Sequence, residues 1–263
     1  MSAAPTLERL ARSARRRLLR MHFESRIGHL GGNLSALDAL LTLHHEVMRA
    51  GDRFVLSKGH AAGALYITLW SLGLLEEQEL ATFHADGTRL AGHPVPGWSE
   101  HIPLATGSLG HGFPVALGMA LARHLNGDAG HVYCLTSDGE WQEGAMWEGL
   151  IFWAHRRLAN LTVLVDLNGL QGFGSTREIA SMDDLGKRVA AFGIPVCHVD
   201  GHDHRAIADA ARAHPGAVIL LRTIKGKGVS FMENRMEWHY LPMSREQYAA
   251  ALRELEDPAG GTP

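Results

Sequence analysis

Cysteine is scarce in this chain, with only Cys134 and Cys197 among 263 residues. The two lie far apart, inside the apolar stretches Tyr133-Cys134-Leu135 and Val196-Cys197-His198, which read as buried strands. This excludes a disulfide framework and a C-x-x-C metal site, and it fits a reducing cytoplasm. Charge of one sign is lacking as well. With 25 Lys and Arg against 28 Asp and Glu, the formal net charge is −3, so nothing calls for a nucleic-acid partner. No apolar run approaches the roughly 20 residues that cross a bilayer, so no membrane span is expected. Repeats, low-complexity linkers and breaks in composition are also missing, which leaves no mark of a second domain.

What remains is ordinary globular material, 46% hydrophobic and 20% charged. Arg9, Arg12, Arg15, Arg16, Arg17 and Arg20 could suggest a transit peptide. Yet Leu7, Leu10, Ala11, Ala14, Leu18 and Met21 repeat at helical spacing and predict a first helix with one apolar face. A second helix is expected through Leu37, Leu40 and Leu41, and Phe54-Val55-Leu56 reads as a short strand. The stretch from His84 to Pro103 is rich in glycine and proline and predicts an ordered loop. Strands ending at Ser137 and Leu167 flank a helix over 145–158, the length of a right-handed parallel crossover. A helix over 182–192, a strand over 194–199, a helix over 206–213 and a strand over 217–223 continue the alternation. Ser244 and Gln247 form a capping box for a last helix through Leu255. The sum predicts an α/β chain: a doubly wound, mostly parallel sheet with helices on both faces, one domain over 1–256 and a flexible tail over 257–263.

Asp138-Gly139 ends the apolar run 132–136, and thirty positions later Asn168-Gly169 ends the run 161–167. Ligands bind at such strand ends in open parallel sheets. A carboxylate and an amide oxygen there are hard donors of the kind Mg²⁺ and Ca²⁺ prefer, and a metal so held can anchor a diphosphate. Asp-Gly and Asn-Gly are also common turn signals that need no ligand, and both readings stay open on the residues alone. The same holds for the 17 histidines, most of which a chain uses structurally. Those beside loop glycines, in Gly28-His29, Gly59-His60 and Gly92-His93, stand where reactive groups are usually mounted.

The run Ser137-Asp138-Gly139-Glu140-Trp141-Gln142-Glu143-Gly144, with Asn168 downstream, resembles the Gly-Asp-Gly…Asn signature of thiamine diphosphate enzymes, and specifically of transketolases. Gly28-His29, Ser57-Lys58-Gly59-His60, Gly92-His93-Pro94, Gly107-Ser108-Leu109-Gly110 and the run from Lys225 to Glu233 are similar to transketolase amino-terminal motifs in the family's order. The resemblance covers the chain to about Tyr240. It implies a thiamine diphosphate-binding fold in which Asp138, Asn168 and the Leu170 carbonyl coordinate Mg²⁺ or Ca²⁺. It further implies that Gly107, Leu109, Gly139, Glu143 and His60 lie against the cofactor, and that His29, His60, His93 and His239 face the substrate. Imidazole suits proton transfer near neutral pH. By the same resemblance Glu148 lies at a subunit interface. Lys225 and Lys227 read equally well as phosphate ligands and as a mobile solvated loop. Three departures stand out: Ser137, His111 and Tyr240 replace the family's usual glycine, glutamine and glycine.

In transketolases the glutamate that activates the cofactor lies in a separate pyrimidine-binding domain, and the chain is expected to end before one begins. The resemblance therefore implies the amino-terminal subunit of a split transketolase, active only with a second subunit carrying the pyrimidine-binding and carboxy-terminal domains, as an α2β2 heterotetramer. The reaction implied is transfer of a two-carbon ketol unit between small ketose and aldose substrates. Rival readings are a decarboxylating or synthase relative acting on 2-oxo acids and a cofactor-binding subunit with no activity of its own. A dinucleotide-dependent oxidoreductase is disfavoured because no G-x-G-x-x-G joins a first strand to a helix.

Overall fold

A computed structural model describes residues 6–256, so the expected tail lies outside the described residues. Thr6 caps α1 (Leu7–Ser25) by accepting the Arg9 amide at 3.4 Å, and the helix packs one apolar face inward as its spacing predicts. α2 (Leu30–Thr42) is buried on every side and runs into a π-helical turn, Leu43–Val47. β1 (Arg53–Leu56) leads through a 3₁₀ turn to α3 (Ala62–Ser71) and α4 (Glu77–Leu80). From His84 to Pro103 the chain forms turns and no helix or strand. α5 (Gly112–Leu125), β2 (Val132–Ser137), α6 (Gly144–Arg156) and β3 (Leu161–Leu167) follow. Next come a small hairpin of β4 (Leu170–Gln171) and β5 (Gly174–Ser175), then α7 (Thr176–Ala180) and α8 (Leu185–Ala190). β6 (Val196–Asp200), α9 (His204–Ala213), β7 (Val218–Arg222) and α10 (Arg245–Glu254) complete the order, the last with the Ser244/Gln247 capping box.

The main sheet has five parallel strands in the order β1-β2-β3-β7-β6. Alternate strand residues feed two apolar layers. Phe54, Leu56, Leu135, Leu164 and Ile219 pack under α1, α2, α3 and α9, whereas Val55, Cys134, Val163, Val165 and Leu220 pack under α5, α6 and α8. Each such buried aliphatic contributes about 1.5–3 kcal/mol. The chain leaves β3 toward the α8 face, while the segment after β7 folds over the other face, with Val229, Met232 and Trp238 in its core. The two exits diverge at the carboxyl ends of adjacent strands and open a crevice there.

Two expectations need adjusting. The helix expected over 182–192 is confined to Leu185–Ala190, and Cys197 is only partly buried because β6 is an edge strand. No helix among the described residues is long and apolar enough to cross a membrane.

Candidate active site

Ser137 pairs with Asp166 across β2 and β3, so Asp138 and Asn168 emerge side by side at the crevice. Asp138 is 1% exposed; its Oδ1 accepts the Gly139 amide at 2.7 Å and its Oδ2 the Gly169 amide at 2.5 Å. Among the described residues no cationic side chain forms an ion pair with it. Burial, and then the nearby Asp166 carboxylate, push its carboxyl up to about 6. Asp166 has its own partners: Lys58, equally buried, forms an ion pair with it, while Ser35 at 2.6 Å and Thr223 donate hydroxyls. Together they outweigh burial and hold its carboxyl below the usual range. Asn168 Oδ1 accepts the Leu170 amide at 3.0 Å, and the Leu170 carbonyl accepts from Lys225 Nζ at 3.2 Å.

A buried carboxylate with no direct ion pair among the described residues, a carboxamide oxygen and a main-chain carbonyl form a hard oxygen donor set, and the two carbonyl-type oxygens each keep a second lone pair. This fits Mg²⁺ or Ca²⁺. The set holds a single carboxylate, in keeping with the absence, among the described residues, of any cluster of three His, Cys, Asp or Glu suited to a metal. The Gly139 amide is turned back onto Asp138 in the 3₁₀ turn Gly139–Gln142.

Above this floor the fold gathers the four histidines singled out in the sequence. His29 adopts a left-handed backbone (φ 62°) at the start of α2, and its amide donates to the His239 carbonyl at 3.0 Å. Its ring centroid lies 5.8 Å from His60, 6.1 Å from His93 and 5.2 Å from His239, and His60 and His239 are 5.5 Å apart. Burial lowers the pKa of all four, aided by His93 at His29, by Lys58 at His60, by His84 at His93 and by Lys225 at His239, which falls to about 3. All four are therefore neutral at pH 7. Lys225 Nζ lies 3.0 Å from His239 Nδ1, so the ammonium donates there and leaves the imidazole proton on Nε2.

These groups line one cavity of about 440 Å³ together with Gly107, Leu109, Gly139, Gln142, Glu143, Asn168, Leu170, Phe173 and Tyr240. Every expected site residue is thus present at its wall. His111 is not; it is exposed at the start of α5, and Glu148 is exposed on α6 away from the cavity. Glu140 ties the loops together from beneath, its buried carboxylate accepting the Ser57 hydroxyl, the Gly110 amide at 3.0 Å and the Ser137 amide at 3.2 Å. Gly59 lets the His60 loop approach the backbone at Thr106 and Gly107, where a Cβ would come within 2.8 Å.

Sequence reasoning gave no role to Lys58 or Asp166 and left Lys225 open between a phosphate ligand and a solvated loop. A charged residue inside an apolar run, as Asp166 is within 161–167, was the available signal, because such a residue is buried only with a partner. The burial of Lys225 had no comparable signal. Its loop is pinned by the Gly226 amide on the Gly31 carbonyl at 2.9 Å, and the lysine is 1% exposed.

Comparison with known proteins follows the same lines. Residues 24–256 match the family described as transketolase, thiamine diphosphate binding domain. The chain is 36% identical over 265 residues to one of the subunits of the apulose-4-phosphate transketolase of Actinobacillus succinogenes, covering 95% of this chain and 96% of that one. It is 38% identical over 245 residues to a 6-deoxy-6-sulfo-D-fructose transketolase subunit of a Clostridium species, covering 88% and 89%. Human transketolase is 35% identical over 240 residues, which cover 87% of this chain and 38% of the human one. Among solved structures, transketolase from Leishmania mexicana superposes with a TM-score of 0.88 at 27% identity, covering 95% of this chain and 41% of that one.

Proposed function

The chain belongs to the transketolase family, and from that premise we propose that it is the amino-terminal subunit of a two-component, thiamine diphosphate-dependent transketolase that moves a two-carbon ketol unit from a ketose to an aldehyde. The observation that carries this reading is the clustering of four neutral imidazoles, in tilted and edge-on contacts, in one cavity with Asp138, Asn168 and Leu170.

Asp138, Asn168 and the Leu170 carbonyl would hold Mg²⁺ or Ca²⁺, and Gly107, Leu109, Glu143 and His60 would lie against the cofactor. The cofactor, when bound, supplies the electron sink that lets a carbon–carbon bond beside a ketose carbonyl break. His29, His60 and His93 each offer one N–H donor and one bare nitrogen, so they can orient sugar hydroxyls and carry protons between them. His239, with Nδ1 taken by Lys225, presents its Nε2 proton as a fixed donor. Burial lowers the basicity of the whole cluster, most clearly at His60 and His239, and so favours its unprotonated form.

Residues 1–256 act in this reading as one domain, and the pyrimidine-binding and carboxy-terminal domains come from a partner chain in an α2β2 assembly. Support comes from the relatives that are themselves single subunits of transketolases, one matched along 96% of its length, against 38% for human transketolase. Unpaired Cys134 and Cys197 support a cytoplasmic setting. The test is reconstitution of the purified chain with its partner, thiamine diphosphate, Mg²⁺, a ketose donor and an aldehyde acceptor. Ketol transfer that needs both chains is expected. Robust turnover by this chain alone, or none by the mixture, overturns the reading.

A further inference from the structure

Tyr240 stands where the family pattern has glycine, and the surrounding chain makes room for it at both ends. Its carbonyl presses on Gly28, where a Cβ would lie 2.2 Å from the Tyr240 oxygen. Its phenol tip reaches the hairpin at Gly172, where a Cβ would lie 2.1 Å from the hydroxyl oxygen. Between these contacts the ring centroid sits 4.7 Å from His239 and 6.5 Å from His29. The phenol ring therefore narrows the gap between the imidazole cluster and the β4–β5 hairpin, and His239 reaches the same glycine, where a Cβ would lie 3.4 Å from its Nε2. The cavity rim beside it is apolar, with Phe173 85% and Ile179 42% exposed. Lys225, the lysine at the wall, has its ammonium directed to Leu170 and His239 rather than outward.

We infer that Tyr240, seated on Gly172, is a specificity-determining residue that limits the length of carbon chain admitted beside the histidines and favours short aldehyde acceptors over longer ones. The inference rests on the ketol-transfer reading. Its physical basis is steric: no Cβ fits at Gly172 while the phenol is in place, so a side chain there displaces the half-exposed ring. A wall contact of this size discriminates by about 10- to 200-fold per methylene accommodated or refused.

The test uses the complex with its partner chain, one ketose donor, and glycolaldehyde against erythrose and ribose as acceptors, with kcat/KM measured for each. Tyr240→Gly is expected to raise the ratio of long to short acceptor about tenfold or more, mainly through KM. Tyr240→Phe keeps the ring and is expected to keep the wild-type ratio. Gly172→Ala is expected to change the ratio by displacing the ring, and to have little further effect when combined with Tyr240→Gly, because the two act through one contact. Ketol transfer with a ratio unchanged in Tyr240→Gly overturns the inference alone, as does a Tyr240→Phe ratio equal to that of Tyr240→Gly. Absence of transfer by the wild-type complex overturns the underlying reading and this inference with it.

Discussion

Asp138→Asn keeps the shape of the side chain and removes the charge at the centre of the proposed cation seat. Burial and Asp166 raise the Asp138 carboxyl from 3.8 to about 6, a free-energy cost of about 3 kcal/mol for the charged folded form. The sign follows from proton linkage. A raised folded-state pKa means that stability is fully present below pH 3.8 and is lost as pH climbs to about 6, so the metal-free chain bears the whole cost at pH 7.5. Asparagine removes that cost but presents only one acceptor oxygen to the Gly139 and Gly169 amides, which returns about 1–2 kcal/mol. Metal-free Asp138→Asn should therefore be about 1–2 kcal/mol more stable than wild type at pH 7.5, with the difference gone or reversed at pH 4. Mg²⁺ with thiamine diphosphate at a hundredfold excess over Kd should stabilise wild type by about 2.7 kcal/mol and leave the variant almost unmoved. Denaturant unfolding in EDTA and in Mg²⁺ with cofactor, at both pH values, measures every quantity. A variant several kcal/mol less stable without metal, yet as responsive to cofactor as wild type, would refute the reasoning.

Lys225→Met removes the ammonium that helps to depress His239, so the His239 pKa, now about 3, should rise while staying below 6.5 because burial is the larger cause. Histidine NMR titration reads this, and an unmoved resonance would remove Lys225 from the site. His22→Phe addresses acid stability. His22 is 1% exposed and lowered to about 4 by burial, so wild type should lose up to about 3 kcal/mol between pH 6.5 and 4 through this residue, a loss absent from the variant's urea unfolding curves. Glu140→Ala strips the Ser57, Gly110 and Ser137 donors of their shared acceptor and should cost about 3–5 kcal/mol in chemical denaturation. A cost under 1 kcal/mol would show that the loops hold without it.

The sheet was legible because its central strands are continuous apolar runs bounded by Asp-Gly and Asn-Gly, and because helix-length segments separate them. The four histidines were legible through their motifs, three of them set beside loop glycines. The β4–β5 hairpin was not legible: two residues per strand carry no periodicity, and its place is fixed by the Thr176 amide on the Gly169 carbonyl at 3.0 Å and by Tyr240. Helix α8 is shorter than its apolar pattern because Met182 to Asp184 form a turn, with Asp184 in a left-handed conformation. Lys225 read equally as a phosphate ligand and as part of a solvated loop from its glycine neighbours, and neither reading foresaw its burial. Those same glycines allow the close backbone approach that buries it, with a Cβ at Gly226 coming 2.4 Å from the Met232 carbonyl. Tyr240 was visible as a departure, but its seat on Gly172 depends on a contact between segments nearly seventy positions apart.

The most direct measurement is anomalous X-ray scattering from Mn²⁺ bound with thiamine diphosphate to this chain in complex with its partner. A single strong peak ligated by the Asp138 carboxylate, the Asn168 carboxamide and the Leu170 carbonyl is the expected result. Cofactor bound with no ion between those three oxygens, or an ion held elsewhere, would contradict the assignment.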